Sequence, residues 1–528
     1  MKVGAVQLEQ VAGDYESNMS RALAGAERLM SEGCRLVVLP EMFATGYLFG
    51  SAKEASPFAQ PVTGDTYERI FRLCRQFGAV AVYGYLEFDP ESLTYHNAAA
   101  AVGAEGLLAR YRKVHPFVAD TTWAVDGDKL GPYFEIDGLV ATVAICADVE
   151  FPETAARRRH YDVLCLPTAW VEEKAPSFVW LLRAREAACY LVAADLAGVE
   201  KGVKFSGGSC VISPEGELLT SIDAGNGVVA AEIAHAPERP RVPIPSSLQL
   251  SVQAFEPADL ATRAPVAMPL QPDLRLDLAA LNLPDYDLSP EGLARVEELL
   301  ADRLLGRPCS ATLAVALPQA DWNGAGEADA LGRAAKSIAG RLGYEEVLLG
   351  QVRCGDGGKE TLIASSAWPE VRRQAKASTL TGLRLEVLSG GDLDDWAPVR
   401  RAAVEGASVA LVSADAAGSR TPERRGHSTI KLPPYGEEPQ MDTVNRARLR
   451  AGESNIALAI SVRGPAPGLQ EAGVYGPDML SYPFYESIAD APEWAGRLSF
   501  GPEAAPGPTE TLARRPYLRQ RKPWLYTG

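Results

Sequence analysis

The chain has 528 residues, 47% of them hydrophobic, 23% charged and 8% aromatic, with a formal net charge of −16. That balance is globular and excludes a disordered, fibrous or disulfide-stapled chain. Its acidity excludes general binding to nucleic acid or to an anionic membrane surface, and at about 150 residues per domain the length sets a prior of three or four domains.

The first 235 residues alternate short strand-like and longer helix-like segments. KVGAVQL reads as a strand, ESNMSRALAGAERLMSEGC as an amphipathic helix and RLVVLPE as a buried strand. TYERIFRLCRQFG and FVWLLRAREAACY read as further helices. AVAVYGYLEF, HNAAAAVG, LVATVAIC, DVLCLPTA, YLVAADLAG and GGSCVISPEGELL read as strands, the last with a turn at Ser213-Pro214-Glu215-Gly216. This order predicts a layered α/β domain over residues 1–240. Residues 241–308 are Pro-rich and aperiodic (RPRVPIPSS, RAPVAMPLQPD) and read as a linker with one short helix, SPEGLARVEELLADRLL. From residue 309 the strand, helix, strand order begins again. Residues 501–528 form a basic, aromatic tail.

The eight cysteines form no C-x-x-C pair and most lie in apolar runs, where a free thiol packs as a small hydrophobe. The histidines and cysteines show no metal-ligand spacing, so neither metal nor cofactor is expected. MKVGAVQLEQ turns polar too soon for a signal peptide, and no window approaches the roughly 18 apolar residues of a membrane span. The expectation is a soluble, cytoplasmic protein.

Three patterns in the first half can support nucleophilic catalysis together. VVLPEMF places Glu41 directly beyond an apolar strand, as a general base would be. ARYRKVHPF ends a strand-like run in Lys113. VAICADVEFPE puts Cys146 at a strand exit beside free backbone N–H groups, where a nearby ammonium favours thiolate and a developing oxyanion. Acyl transfer needs these three types: nucleophile, proton carrier and oxyanion donor. Taken singly, none decides anything, because a glutamate after a strand is usually a solvated turn residue, the lysine of RYRK an edge charge and the cysteine a packed thiol.

In that order, LPE, YRKVHPF and ICADVEFPE resemble the Glu–Lys–Cys signatures of the nitrilase superfamily of carbon–nitrogen hydrolases. LLRAREAACYLVAADLAG is similar to its RA-x-E segment, and GGSCVISPEG to its closing hairpin. The resemblance covers roughly Met1 to His235. It implies an αββα four-layer sandwich, Glu41 as general base, Lys113 as oxyanion-stabilising group, Cys146 as nucleophile and the Ala147 N–H as a second oxyanion donor. Many members carry another glutamate seven residues before a Gly-Asp pair; counting back from Gly127-Asp128 gives Asp120, one methylene shorter, as the fourth position. Cys146-Ala147-Asp148 falls on the amidase and carbamoylase side of the family. DVEFPE followed by LPTAW resembles the branch acting on small aliphatic or ω-amino amides. Phe43, Tyr47, Trp123 and Trp170 are the aromatic candidates for shaping the pocket, or equally for packing. His96 and His115 are expected to have support roles.

The second half pairs with the first without gaps around the nucleophile. Gly138 to Asp148 sets against Gly382 to Asp392, so Cys146 falls on Gly390. RLVVLPE against YEEVLLGQ puts Glu41 on Gln351, ARYRK against RRQAK puts Lys113 on Lys376, and LRAREAAC against LRAGESNI keeps the Arg and Glu. The expectation is two tandem copies, the second (309–500) degenerate and catalytically dead. It would act as a pseudo-dimer partner within the chain, unless the chain forms a homo-oligomer. Three alternatives stand beside the amidase: an N-carbamoyl amidohydrolase, the glutaminase half of an ATP-dependent amide ligase, and a non-catalytic scaffold. The ligase would need S-G-G-x-D-S, whereas SGGDLDD places Leu393 and Asp394 at its last two positions. The expected partner is a small-molecule amide substrate, with no nucleic acid and no membrane.

Overall fold

The computed structural model describes residues 1–155, 161–171, 175–236, 276–284, 286–304, 311–321, 327–355, 358–379, 383–415, 443–454, 456–463, 472–476, 486–488 and 493–500. They divide into two compact units, one within residues 1–236 and one within residues 276–500.

The first unit runs β1 (Lys2–Glu9), α1 (Tyr15–Ser31), β2 (Leu36–Val38), α2 (Asp65–Phe77), β3 (Val80–Asp89), β4 (Thr94–Gly103), β5 (Gly106–Arg112), β6 (Tyr133–Ile136), β7 (Leu139–Val143), β8 (Val163–Thr168), α3 (Phe178–Ala187), β9 (Tyr190–Glu200), β10 (Val203–Ser206), β11 (Cys210–Ile212), β12 (Leu218–Ser221) and β13 (Gly227–Glu232). Its strand order is β5-β4-β3-β2-β1-β9-β8-β7-β6, with β13 on β1, β10 and β11 on β9, and β12 on β11. β1 and β9 share only the pairs Leu8–Leu196 and Glu9–Ala197. The ladder therefore turns there and folds into two sheets, with β2 and β3 lying against β8. Helices α1 and α2 cover the outer face of one sheet and α3 that of the other, which is the expected αββα sandwich.

The apolar runs explain the layering. A strand covered on both faces has no polar side, and β1 is buried along Val3 to Leu8. Val6 and Leu8 pack with Met19, Ala22, Ala26 and Leu29 of α1, the valine, leucine and methionine side chains each contributing about 1.5–3 kcal/mol when fully buried. Asp14 caps α1 by accepting from the Ser17 N–H at 3.2 Å, and Gly78, at φ 62°, ends α2 in the left-handed region.

The second unit runs β14 (Leu276–Asn282), α4 (Pro290–Arg303), β15 (Thr312–Ala316), β16 (Ala320–Asp321), α5 (Glu327–Leu342), β17 (Glu346–Gly355), β18 (Gly358–Ser365), β19 (Lys376–Ser378), β20 (Arg384–Ser389), α6 (Trp396–Val404), β21 (Val409–Asp415), α7 (Thr443–Ser454), β22 (Ala457–Arg463), β23 (Gly473–Tyr475), β24 (Glu486–Ile488) and β25 (Trp494–Phe500). Its order is β16-β17-β15-β14-β22-β21-β20-β19, with β18 on β17, β25 on β14, β23 on β22 and β24 on β23. From β14 onward the pairing order is similar to that of the first unit: β17-β15-β14-β22 follows the order β3-β2-β1-β9, and β18 pairs with β17 as β4 pairs with β3. β14 meets β22 at the single pair Asn282–Val462, a contact as short as the two pairs between β1 and β9.

Two expectations change. The stretch 241–308 is not linker throughout, because β14 pairs with β15, β22 and β25 and belongs to the second unit's sheets; the expected short helix there is α4. The alignment of the two halves also shifts. Gln351 lies on β17, the third-strand position, and Lys376 lies on β19, exposed and bonded to Glu405. The residue beyond the second strand is Gln319, whose N–H donates to the Ala414 carbonyl at 2.9 Å as the Glu41 N–H donates to that of Thr168 at 3.4 Å. The tail 501–528 lies outside the described residues. Among those described, no helix is long and apolar enough to cross a membrane.

Candidate active site

Glu41 stands two residues past β2's last ladder contact, where the Leu39 N–H still donates to the Val82 carbonyl at 2.8 Å. The chain passes so close to β3 that a Cβ on Gly84 would lie 2.5 Å from the Glu41 Cα. Lys113 leaves β5 with its N–H on the Asn97 carbonyl and its own carbonyl on the Gly127 N–H, both at 2.8 Å. Asp120 sits in a single 3-10 turn, Asp120–Thr122, between them. All three side chains are buried.

The three form one network. The Lys113 Nζ donates to Glu41 Oε1 at 2.7 Å and to Asp120 Oδ2 at 2.8 Å. Asn97, on β4, donates from Nδ2 to Glu41 Oε1 at 2.7 Å and to Asp120 Oδ1 at 3.0 Å. The Phe117 N–H completes Asp120 at 2.8 Å. Glu41 Oε2 is buried without a partner among the described residues. Burial raises the Glu41 pKa, Lys113 opposes this and Asp120 adds to it. For Lys113, burial works against the ammonium, but Asp120 and Glu41 outweigh it and its pKa lies well above the usual value.

Cys146 opens the 3-10 turn Cys146–Glu150 at φ 44°, a left-handed backbone unusual for a side-chain-bearing residue. Asp148 holds that turn. It accepts the Ile145 N–H at 2.9 Å, the Tyr111 hydroxyl at 2.6 Å and the His115 N–H at 3.0 Å, and pairs with His115 Nδ1 at 2.9 Å. The His115 ring stacks on Phe151 with centroids 3.8 Å apart. From the other side Arg183 donates to the Val149 carbonyl at 2.7 Å. Burial and the neighbouring Glu41 push the Cys146 thiol pKa well up, against Lys113 and the Ala169 N–H. The resting thiol therefore favours its neutral form, and a nucleophile at this position would need a base.

The aromatic candidates separate. The Tyr47 ring lies 5.7 Å from the Lys113 Nζ, and its hydroxyl is buried without a partner. Glu200 fixes that loop by accepting the Tyr47 and Leu48 N–H groups at 3.0 and 2.8 Å. Trp123 packs edge-on to Phe49 with Nε1 unpartnered, and Trp170 packs edge-on to Trp180. Phe43 stands edge-on to Tyr83 in the core beneath α1 and α2. His96 bonds the Val125 carbonyl and Thr94, away from the network. No group of three potential ligands for a metal occurs among the described residues.

Asn97, Tyr111 and Glu200 were not anticipated. Asn97 carried a signal: one amide inside HNAAAAVG, on a strand buried on both faces, must find partners. Tyr111 and Glu200 carried none, since their contacts join segments distant in sequence.

Residues 2–238 match the carbon–nitrogen hydrolase family. The chain is 34% identical to a nitrilase from Pyrococcus abyssi over 223 residues, which cover 42% of this chain and 84% of that protein. It is 26% identical to a 2-oxoglutaramate amidase from Bacillus subtilis over 236 residues, 44% of this chain and 90% of that one. An amidase structure from Nesterenkonia sp. matches at 25% identity with a TM-score of 0.39, covering 44% of this chain and 90% of that chain. The chain belongs to the carbon–nitrogen hydrolase family, through a domain formed by its first 240 or so residues. It is an enzyme acting on carbon–nitrogen bonds other than peptide bonds.

Proposed function

We propose that the first unit hydrolyses a small non-peptide amide, aliphatic or ω-amino, to carboxylate and ammonia through a thioester on Cys146. The observation that carries this is the division of Glu41: Oε1 is held by Lys113 and Asn97, while Oε2 accepts no hydrogen bond among the described residues, and Glu41 lies near enough to Cys146 to raise its thiol pKa. Glu41 takes the thiol proton and the thiolate sulfur bonds the amide carbon. The oxyanion that forms is met by the Lys113 ammonium and the Ala147 N–H. On collapse the carbon–nitrogen bond breaks and Glu41 returns its proton to the departing nitrogen as ammonia leaves. Glu41 then draws a proton from water, whose oxygen replaces sulfur at the carbonyl, and passes that proton to the departing thiolate. Asp120 holds the Lys113 ammonium in place.

The second unit reads as a degenerate copy of the first, a catalytically dead partner in cis. Gly390 supplies no nucleophile at the Cys146 position and Gln319 no carboxylate at the Glu41 position. The ligase alternative is disfavoured because Asp392 already accepts the Ser389 N–H at 2.8 Å and its hydroxyl at 3.0 Å, where a phosphate would need free donors. A cytoplasmic setting fits seven free cysteines among the described residues. Ammonia release across a panel of amides and N-carbamoyl compounds tests the reading, with intact-mass detection of an acyl adduct that Cys146→Ala must lose. Ammonia release without such an adduct on Cys146, or turnover in Cys146→Ala, would overturn it.

A further inference from the structure

Tyr111 stands two residues before Lys113 and on the same face of the strand: Ala109, Tyr111 and Lys113 are buried, while Arg110 between them is exposed. The Tyr111 hydroxyl donates to Asp148 Oδ2 at 2.6 Å and accepts the Val114 N–H at 3.3 Å. The next amide, that of His115, donates to Asp148 Oδ1 at 3.0 Å, and His115 Nδ1 lies 2.9 Å from the same oxygen. Both residues that follow Lys113 are therefore tied to Asp148, one through the tyrosine hydroxyl and one directly.

On its other side Asp148 closes the turn that carries Cys146. Its N–H donates to the Ile145 carbonyl at 3.0 Å, and its Oδ2 accepts the Ile145 N–H at 2.9 Å. Cys146 and Ala147 are the two residues enclosed by this double closure, which holds Cys146 at its left-handed φ of 44°. Burial opposes the charge of Asp148, but the bonds from His115, Tyr111 and the Ile145 N–H outweigh it and lower its pKa, so the anchor is an ionised one. In the second unit Asp392 likewise accepts the Ser389 N–H, at 2.8 Å, but its further bond is to the Ser389 hydroxyl, within the same turn. Closing such a turn therefore needs no contact with a strand exit. The reach of Asp148 to Tyr111 and His115 serves something more: it joins the segment of the ammonium to the segment of the thiol.

We propose that Tyr111 and His115 are positioning residues: through Asp148 they fix the chain that carries Lys113 against the turn that carries Cys146 and the Ala147 N–H, so that the sulfur and the oxyanion donors meet one carbonyl group together. This rests on Cys146 being the nucleophile, and an aldehyde tests it without turnover. The sulfur bonds the aldehyde carbon, the carbonyl π pair moves to oxygen and the thiol proton passes to Glu41. The oxyanion so formed calls on the same donors as the amide reaction. Affinity for propionaldehyde is read as protection of Cys146 from methyl methanethiosulfonate, followed by peptide mass mapping. That reagent forms a disulfide with the thiolate, releases methanesulfinate and needs no oxyanion donor. Turnover of the best amide is measured in parallel.

Tyr111→Phe removes only the hydroxyl. Its propionaldehyde affinity and its kcat are expected to fall about 10- to 100-fold, with labelling in the absence of aldehyde within about threefold of the parent. His115→Ala removes the second side-chain link and is expected to move both in the same direction, by about tenfold. A role in stability alone would lower the melting temperature and leave the aldehyde affinity of the folded protein at the parental value, and that result overturns the proposal. So does labelling slowed as much as the aldehyde affinity is weakened, since the contacts would then serve the turn and not its distance from Lys113. Should Tyr111→Phe not fold, His115→Ala decides on the same two readouts. A parent protein that propionaldehyde does not protect would overturn the nucleophile reading and this proposal with it. Protection that depends on Tyr111 in a protein that hydrolyses no amide on the panel would count against the amidase reading and not against Tyr111.

Discussion

The Lys113 ammonium and the Asn97 amide both donate to Oε1 of Glu41, each at 2.7 Å, and no described residue donates to Oε2. One carboxylate thus has a bonded oxygen and, on the proposed mechanism, one left for proton transfer. Lone Lys–Glu pairs on a surface contribute little, but this pair is buried with a second carboxylate, Asp120, so each member requires the others to stay charged.

Glu41→Gln keeps the shape of the side chain and removes its proton affinity, so kcat is expected to fall by about 10²- to 10⁴-fold with KM little changed. The pH dependence has a definite sign. Burial raises the Glu41 pKa, so the ionised base appears later as pH rises, and the acid limb of kcat/KM lies above the ordinary carboxylate range. A carboxyl with a raised folded pKa adds stability that is full below its unfolded pKa and lost as pH rises through the folded one. Chemical denaturation across that window should therefore show a slope that Glu41→Gln flattens.

Asn97 joins the two carboxylates that share Lys113. Asn97→Asp would put a third carboxyl beside them and Asn97→Ala would leave Glu41 Oε1 with the lysine alone. Both are expected to lower kcat about 10- to 100-fold, and Asn97→Asp to move the acid limb further up through like-charge repulsion. A pH–rate profile for each variant checks the order.

Much of this site was legible in the chain. Glu41, Lys113, Cys146 and Asp120 stand at element exits, where an apolar run stops and a polar residue begins, and the structure collects the first, second and fourth into one hydrogen-bonded cluster. What was not legible is long-range. Tyr111 reaches Asp148 across 37 residues and Glu200 reaches Tyr47 across 153, and no local period encodes either contact. The register of the second half failed for a related reason. Matching RLVVLPE to YEEVLLGQ by its apolar pattern took β17 for a second strand, because buried parallel strands look alike when neither face is polar. The better signal was VALPQ at the end of β15, which keeps the Leu-Pro before Gln319.

Two glycines separate the units by function. A methyl on Gly84 would meet the Glu41 backbone at 2.5 Å, so Gly84→Ala must displace the base and is expected to abolish turnover. A methyl on Gly390 would lie 2.7 Å from the Ala414 side chain, an overpacking that costs about 1–3 kcal/mol. Gly390→Ala should therefore lower the melting temperature and leave kcat of the folded enzyme unchanged.

The buried arginines give the sharpest comparison. Arg183 donates to the Val149 carbonyl at 2.7 Å and pairs with Glu186; Arg450 donates to the Leu393 carbonyl at 3.2 Å and pairs with Glu453 at 2.8 Å. Each guanidinium grips the turn that follows β7 or β20, three residues past Cys146 or Gly390. Both guanidinium groups sit fully buried, so replacing either by methionine removes an ion pair, with the buried Glu453 or the partly buried Glu186, and is expected to cost about 3–5 kcal/mol of folding stability. The functional outcomes should diverge. Arg183→Met loosens the turn that carries Cys146 and is expected to reduce both kcat and the rate of Cys146 alkylation below the transition temperature. Arg450→Met loosens a turn with no nucleophile on it, and folded enzyme should turn over at the parental rate. Equal loss of kcat in both, measured well below each melting temperature, would show that the second unit takes part in catalysis after all.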